Sequence, residues 1–342
     1  SEGLAAVRLH TQGGDFLPET HFLRRGDPNL KDAVAAPGFL QVLTPPDCDE
    51  NRWRTAPPTG WRTSYRRRAL AEWLTDPEQG AGALLARVIV NRLWQHHLGR
   101  GIVATPNDFG TRGAPPTHPE LLDWLAGELI RSGWSLKHMH KLIMSSAVYT
   151  QSSRTDERAL ALDRENTLLW HSPTRRLEAE TIRDSLLSVS GLLDLKMYGP
   201  GTLDEATRRR SIYFTVKRSR LMPMMQTFDA PDALSSIGER PTTTVAPQAL
   251  LLLNNPQTRL VAREFANRSL REAQWDFPGA IRRAYTIAVA RSPSADELAD
   301  GLAFVASQAD SYQAAGQAGA QARAMADFCQ VVLCLNEFVY VE

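Results

Sequence analysis

No apolar run in this 342-residue chain approaches the roughly 20 residues that a membrane-spanning helix needs. The longest, residues 249–253 and 331–335, stop far short of it. An excess of charge of either sign is also missing. Lys and Arg number 39 against 38 Asp and Glu, so the net charge is +1. No global field draws the chain to nucleic acid or to an anionic membrane. Cysteine is scarce, with only Cys48, Cys329 and Cys334. The last two lie five apart on an expected helix, where they point to different sides and cannot bridge. Three buried or half-buried thiols are therefore expected. No C-x-x-C-H occurs, which excludes the usual attachment of haem c to this chain. H-E-x-x-H and the i,i+4 histidine pair of a helical zinc site are absent, so no metal site is expected. G-x-S-x-G and S-x-x-K with its partners are missing too. Gly99-Arg100-Gly101 lacks the strand and spacing of a dinucleotide fingerprint.

What is present is an ordinary globular balance, 43% hydrophobic and 23% charged, in a chain long enough for two subdomains. It opens SEGLAAVRLHTQGGDF, without an initiator Met or a leader pattern, which reads as an interior start in a longer protein. Residues 1–65 hold Pro28, Pro37, Pro45, Pro46, Pro57 and Pro58 and read as an extended, irregular arm wrapping the helical body, with a strand-like piece near Thr20 to Arg24. Residues 66–193 read as an N-terminal helical subdomain, 194–256 as an irregular or β insertion, and 257–342 as a C-terminal helical subdomain. Within these, Pro119 suits a first helical position, Ser135 a cap, and Ser294 a cap followed by acidic Asp296 and Glu297. Residues 211–216 are the best strand in the chain, 221–229 read as irregular, and the Ala/Gln-rich 313–326 as helix. The expected fold is mainly α, a multi-helix body with an irregular N-terminal arm and a short β element.

The densest segment is NRLWQHHLGRGIVATPNDFGTRGAPPTHPELLDW, residues 91–124. One helical stretch carries Asn91, Arg92, Trp94, His96 and His97. It stops at Gly99-Arg100-Gly101, crosses a loop with Asn107, Asp108, Phe109 and Gly110, and restarts at His118-Pro119-Glu120. Packing alone would accept Leu or Ala at several of these places, so the segment encodes either a polar site or a rigid junction.

That block, together with RRALAEWLTDPE (67–78), GWSLKHMHKLIMSSAVYTQSS (133–153), RRLEAETIRDSLLSVSG (175–191), RRSIYFTVKRSRLMPMMQTFDAPD (209–232), TTVAPQALLLLNNP (243–256), AYTIAVARSPSADEL (284–298) and CLNEFVYVE (334–342), resembles the planctomycete cytochrome-associated family known as domain of unknown function 1553. The resemblance covers nearly the whole chain from about Thr20 on. Leu98 stands where the family often has Phe, a conservative departure. The resemblance implies context more than chemistry. Such domains lie C-terminal to cytochrome c-like modules in exported proteins. That implies a periplasmic or cell-envelope location, a cytochrome c-like partner domain carrying haem c, and no cofactor in this chain. No catalytic residue carries over from the family.

From the residues themselves, His97, Asp108 and His118 are the catalytic candidates, since a carboxylate beside an imidazole forms a general base. The competing reading is that Asp108 accepts N–H groups in a turn, His118 caps a helix and His97 is a hydrogen-bonded helix-end residue. Arg87 and Asn91, four apart, share a face that would hold the loop carbonyls below Gly101. Asn91, Arg92 and Trp94 are candidates for contact with a ligand or partner. Arg218 and Arg220, in the basic block 208–220, are candidates for gripping an anion. The competing reading there is a strand with Ile212, Phe214 and Val216 inward and arginines paired to Asp229, Asp232 or Glu239. Near-neutral charge argues against nucleic acid. Three functions follow: a redox-linked module docked on a cytochrome domain, a glycan-directed hydrolase or lyase with polysaccharide as partner, or a non-catalytic scaffold.

Overall fold

The structure, a computed structural model, describes residues 20–61, 63–217, 219–232 and 234–341. Arg218 and the start of the expected arm lie outside the described residues. About 52% of the chain is helical, with fourteen α-helices among the described residues, so the mainly α class holds. Two compact units divide it. The first takes the described residues up to Gln151 and Ala161–Trp170; the second takes Ser152–Leu160 and the residues from His171 on.

The first unit begins with an antiparallel hairpin, β1 (His21–Leu23) and β2 (Lys31–Val34), pairing His21 with Val34. β1 falls on the strand-like piece expected near Thr20 to Arg24, and two 3-10 turns follow, the second ending at buried Trp53. Trp53 anchors the arm to α1 (Arg66–Thr75): its Nε1 donates to Asp76 Oδ2 at 3.0 Å, and Trp73 Nε1 donates to Thr44 Oγ1 at 3.0 Å. Phe39 packs between the two indoles, with centroids at 5.0 and 5.5 Å. Burying two tryptophans is affordable here because each N–H keeps a partner.

Periodicity sets α2 (Gly82–Leu98), where Ala86, Val90, Trp94 and Leu98 recur every fourth residue and are all buried. Pro119 occupies the first turn of α3 (Pro119–Arg131), and Ser135 Oγ accepts from the His138 N–H to cap α4 (Leu136–Met144). Short α5 (Ala147–Thr150) follows. Val90, Ile102, Leu129, Met139 and Ile143 form the fully buried centre of this unit.

After α6 (Glu157–Leu162), the second unit is built on α7 (Ala179–Ser190), α8 (Pro223–Thr227), α9 (Ala246–Asn254), α10 (Pro256–Glu272), α11 (Phe277–Val289), α12 (Ala295–Ala314), α13 (Ala320–Leu333) and α14 (Asn336–Val339). α10 is the central element. Its Val261, Ala262, Phe265, Ala266 and Leu270 are buried where α7, α11 and α13 pack on it. Two-residue strands β3 (Arg175–Arg176) and β4 (Tyr340–Val341) pair antiparallel and tie the start of this unit to its end.

Three local expectations fail, each for a tertiary reason. Residues 211–216 form no strand. Ser211–Tyr213 is a 3-10 turn, and Ile212 and Val216 face solvent. Asp184 of α7 causes this, because its Oδ1 accepts from both the N–H and the Oγ of Ser211 at 2.7 Å and draws that residue inward. Residues 221–229 hold a helix, α8, started by Pro223. The Ala/Gln-rich 313–326 is broken at residues 315–319, where Gly316 and Gly319 take positive φ and let α12 turn back into α13.

Ser294 and Glu297 form a reciprocal cap on α12, with bonds of 3.1 and 2.6 Å. Arg291 then joins Glu297 (2.7 Å) to Glu337 of α14 (2.6 Å). Hydrogen bonds from Arg291, then from the Ser294 N–H, hold the Glu297 carboxyl down to about 2. Because the folded form binds this proton less readily than the unfolded chain, the stabilisation is complete above the ordinary 4.5 and is lost as pH falls toward 2. Replacing Arg291 with Met should lower stability at pH 7 and flatten its fall between pH 4.5 and 2. Parallel stability–pH curves for wild type and variant, measured by urea unfolding, would refute this.

Candidate functional site

The junction between α2 and α3 is organised by one amide. Asn91 is fully buried on the inner face of α2. Its Oδ1 accepts from the Val103 N–H at 2.8 Å and its Nδ2 donates to the Val103 carbonyl at 3.0 Å. This clamp holds Ile102 and Val103 in the core just after the helix ends at Gly99, whose φ is 88°. Gly101 is required beside it, since a Cβ there would lie 2.7 Å from Asn91 Nδ2 and 2.6 Å from the Val103 oxygen. Arg87, expected to share this work, instead pairs with Asp123 of α3 at 2.7 Å.

The loop beyond is held from within. Arg92 Nη2 donates to Asn107 Oδ1 at 2.8 Å. Thr105 Oγ1 donates to the Asp108 carbonyl and accepts from the Ala114 N–H. Asp108 Oδ1 accepts from the Gly110 N–H at 2.8 Å. His118 precedes α3 without capping it, and its Nδ1 lies 2.9 Å from Thr117 Oγ1. No hydrogen bond joins Asp108 to His118 among the described residues. His97 is elsewhere on α2: its Nε2 lies 2.8 Å from His140 Nδ1 on α4, and its ring packs edge-on against Tyr149 at 5.6 Å. Each of the three catalytic candidates thus has a hydrogen-bond partner outside the set: His140 for His97, the Gly110 N–H for Asp108 and Thr117 for His118. His138 binds Glu128 at 2.8 Å, and hydrogen bonds from Arg131 and His138 hold the Glu128 carboxyl below the ordinary range.

Trp94 and His118 both line an open cleft of about 500 Å³ in the first unit. Nine of its twelve lining residues are apolar, among them Leu121, Trp124, Leu142 and Leu168; His118, Ser145 and Ser146 supply the polar atoms. Trp124 is 51% exposed and Leu168 projects further still. By helical spacing Leu121, Leu122, Trp124, Leu125, Leu129 and Ile130 make one apolar stripe on α3, which would bury Leu121 and Trp124. The signal was there in the width of that stripe, since 121, 122, 124, 125, 129 and 130 span more than one face. Leu168 and Ser145 carried no sequence signal.

In the second unit one arginine of the basic block, Arg209, is spent on backbone carbonyls, while Arg208, Arg210, Lys217 and Arg220 stay exposed. Arg183 of α7 is buried, donates to the carbonyls of Thr207 and Arg209 and to Ser211 Oγ, and lies 4.6 Å over Phe214. Arg210 pairs with Asp184 at 3.4 Å, not with Asp229, Asp232 or Glu239. Asp229 instead takes Arg176 at 2.6 Å and the Thr243 N–H at 2.8 Å. Burial opposes its charge, but those bonds win and lower its carboxyl. Arg220 is exposed in a turn whose N–H reaches the Lys217 carbonyl. The other anion candidate, Arg218, lies outside the described residues.

The cysteines do not fit haem c attachment, as the absence of C-x-x-C-H already implies. Cys329 is fully buried, and burial pushes its thiol far up; Cys334, half-buried at the end of α13, is raised for the same reason.

Asn91→Ala should destabilise the first unit by roughly 2–4 kcal/mol, because it leaves the Val103 N–H and carbonyl buried without partners. Asp108→Ala, losing one exposed turn bond, should cost only about 0.5–1.5 kcal/mol. Urea unfolding checks both, and equal losses would contradict the distinction.

A family model described as PSD1, protein of unknown function (DUF1553), matches residues 66–305, more than two thirds of the chain. No curated protein and no solved structure matches it.

Proposed function

The chain belongs to the PSD1 (DUF1553) family, and from that premise we propose that it is a non-catalytic binding module of a larger cell-envelope protein. Its apolar cleft in the first unit docks a cytochrome c-like domain, and any redox chemistry belongs to the haem c of that partner. The observation that carries the binding role is the cleft itself. Its volume of about 500 Å³ falls in the range of real ligand sites, and its lining is nine parts in twelve apolar. A haem edge is a flat apolar surface, a chemistry that aromatic and aliphatic walls suit. The partner and the location rest on the resemblance to planctomycete cytochrome-associated proteins.

The hydrolase reading finds less support. Glycoside hydrolysis ordinarily uses two carboxylates flanking the scissile bond. Among the described residues no carboxylate lines this cleft, and Asp108 Oδ1 accepts from the Gly110 N–H. A sugar would also bring many hydroxyls to a wall with few polar partners.

Calorimetric titration with the cytochrome c-like domain tests the proposal. Trp124→Ala should weaken binding at least tenfold, since a half-exposed indole on the cleft wall is a typical anchor. Asp108→Ala should leave the affinity unchanged. Failure of the cytochrome domain to bind, with oligosaccharide binding that depends on Trp124, would overturn it in favour of a glycan site.

A further inference from the structure

In the second unit, residues 194–220 concentrate what the rest of the chain dilutes. They hold seven Lys and Arg against three Asp and Glu, in a protein whose total charge is +1. The same segment exposes five large apolar side chains. Leu195, Met197, Tyr198, Ile212 and Val216 are each between 65% and 77% exposed.

These tips sit on a braced piece of backbone. The Tyr213 hydroxyl accepts from the Tyr198 N–H at 2.7 Å, which fixes residues 195–198 beside 212–213. The Thr202 N–H donates to the Tyr213 carbonyl at 3.0 Å, and the Thr215 N–H donates to the Thr202 carbonyl at 2.8 Å. Arg209 lies 3.6 Å over the Tyr213 ring and donates to the carbonyls of Lys196, Tyr198 and Pro200. An arginine spent on three carbonyls makes the two segments one knuckle, so the apolar tips project from a fixed base. None of the five lines the cleft of the first unit, nor the pocket of this unit that Arg183, Phe214 and Val261 line. Lys196, Arg208, Arg210, Lys217 and Arg220 are exposed on the same segment.

We propose that this knuckle is a peripheral membrane contact, with Leu195, Met197, Tyr198, Ile212 and Val216 entering the interface of an anionic lipid bilayer while the flanking cations meet the headgroup phosphates. The charge and the apolar tips point to the same occupant. Long cationic side chains around apolar groups are the composition that binds anionic interfaces. Tips that project singly suit a fluid surface, which closes around each one; a folded acidic partner would need a separate socket for each. Tyr198 has an apolar ring and a polar end, as residues at the headgroup level do. The inference is independent of the cleft in the first unit.

Co-sedimentation of the whole chain with vesicles tests it. Vesicles of equal phosphatidylglycerol and phosphatidylcholine should bind the chain, and pure phosphatidylcholine should bind it at least tenfold more weakly. Ile212→Ser with Val216→Ser should lower binding about tenfold, and these exposed positions leave the fold intact by circular dichroism. Lys196→Glu with Lys217→Glu should do the same and remove the dependence on salt. An Ile212→Trp variant should shift its emission to the blue on phosphatidylglycerol vesicles and be quenched by brominated lipid. No binding to the anionic vesicles would overturn the proposal. Binding that the serine variants leave unchanged would also overturn it. So would equal binding to a soluble polyanion without the emission shift, which would assign the surface to an acidic macromolecule instead.

Discussion

The Asn91 amide is the constraint on which the first unit depends. A helix that ends in the middle of a core leaves backbone groups without partners, and the chain must then leave without dragging an unpaired peptide through apolar surroundings. Asn91 solves this with one side chain that both donates to and accepts from Val103. Ile102 and Val103 can then be core residues, although they belong to a loop. Ile102 in turn receives the Thr117 N–H at 2.9 Å, which sets where α3 begins. Trp94, His118 and Trp124 are therefore placed around the cleft by a bond that none of them makes. In the proposed reading the polar density of residues 91–124 supports an apolar surface.

The second unit uses the same device with a different side chain. Arg183 and Asp184, adjacent on α7, grip residues 207–211 from two sides, and Arg209 continues the bracing outward to residues 196–200. A buried guanidinium is stable only when its donors are met, and here carbonyls rather than carboxylates meet them. Arg176 stands apart. Its side chain is 4% exposed and bonded to Asp229 through Nη2, while its Nε and Nη1, like the Nε of Arg209, have no hydrogen-bond partner among the described residues. Asp229 itself is held at a φ of 60° by Thr243.

Much of the fold was legible because it is written locally. Pro119, Ser135 and Ser294 start helices by chemistry confined to one turn, and the four-residue spacing of Ala86, Val90, Trp94 and Leu98 needs no partner to be read. The failures lie where a distant residue decides. Nothing within 211–216 announces that Asp184 will take Ser211 and convert an alternating pattern into a 3-10 turn. The bond of His97 to His140 spans 43 residues and is equally silent in sequence. Of the candidate residues, Asn91 was expected to hold the loop beyond Gly101 and does so, while Arg87 was expected to help and reaches Asp123 instead. The cleft was hidden because Leu121 and Trp124 look like core in any helical reading; only their exposure marks them as surface.

As proposed, the first unit presents a preformed apolar cleft for a partner, with its polar motif as support. Hydrogen exchange of the chain with and without the cytochrome c-like domain tests it most directly. Protection should be gained at residues 119–125 and 142–148, with the Val103 amide already slow in the free chain. Protection centred instead on residues 105–112, with the Val103 amide fast until the partner is added, would mean that the polar loop is the binding site and the cleft is not.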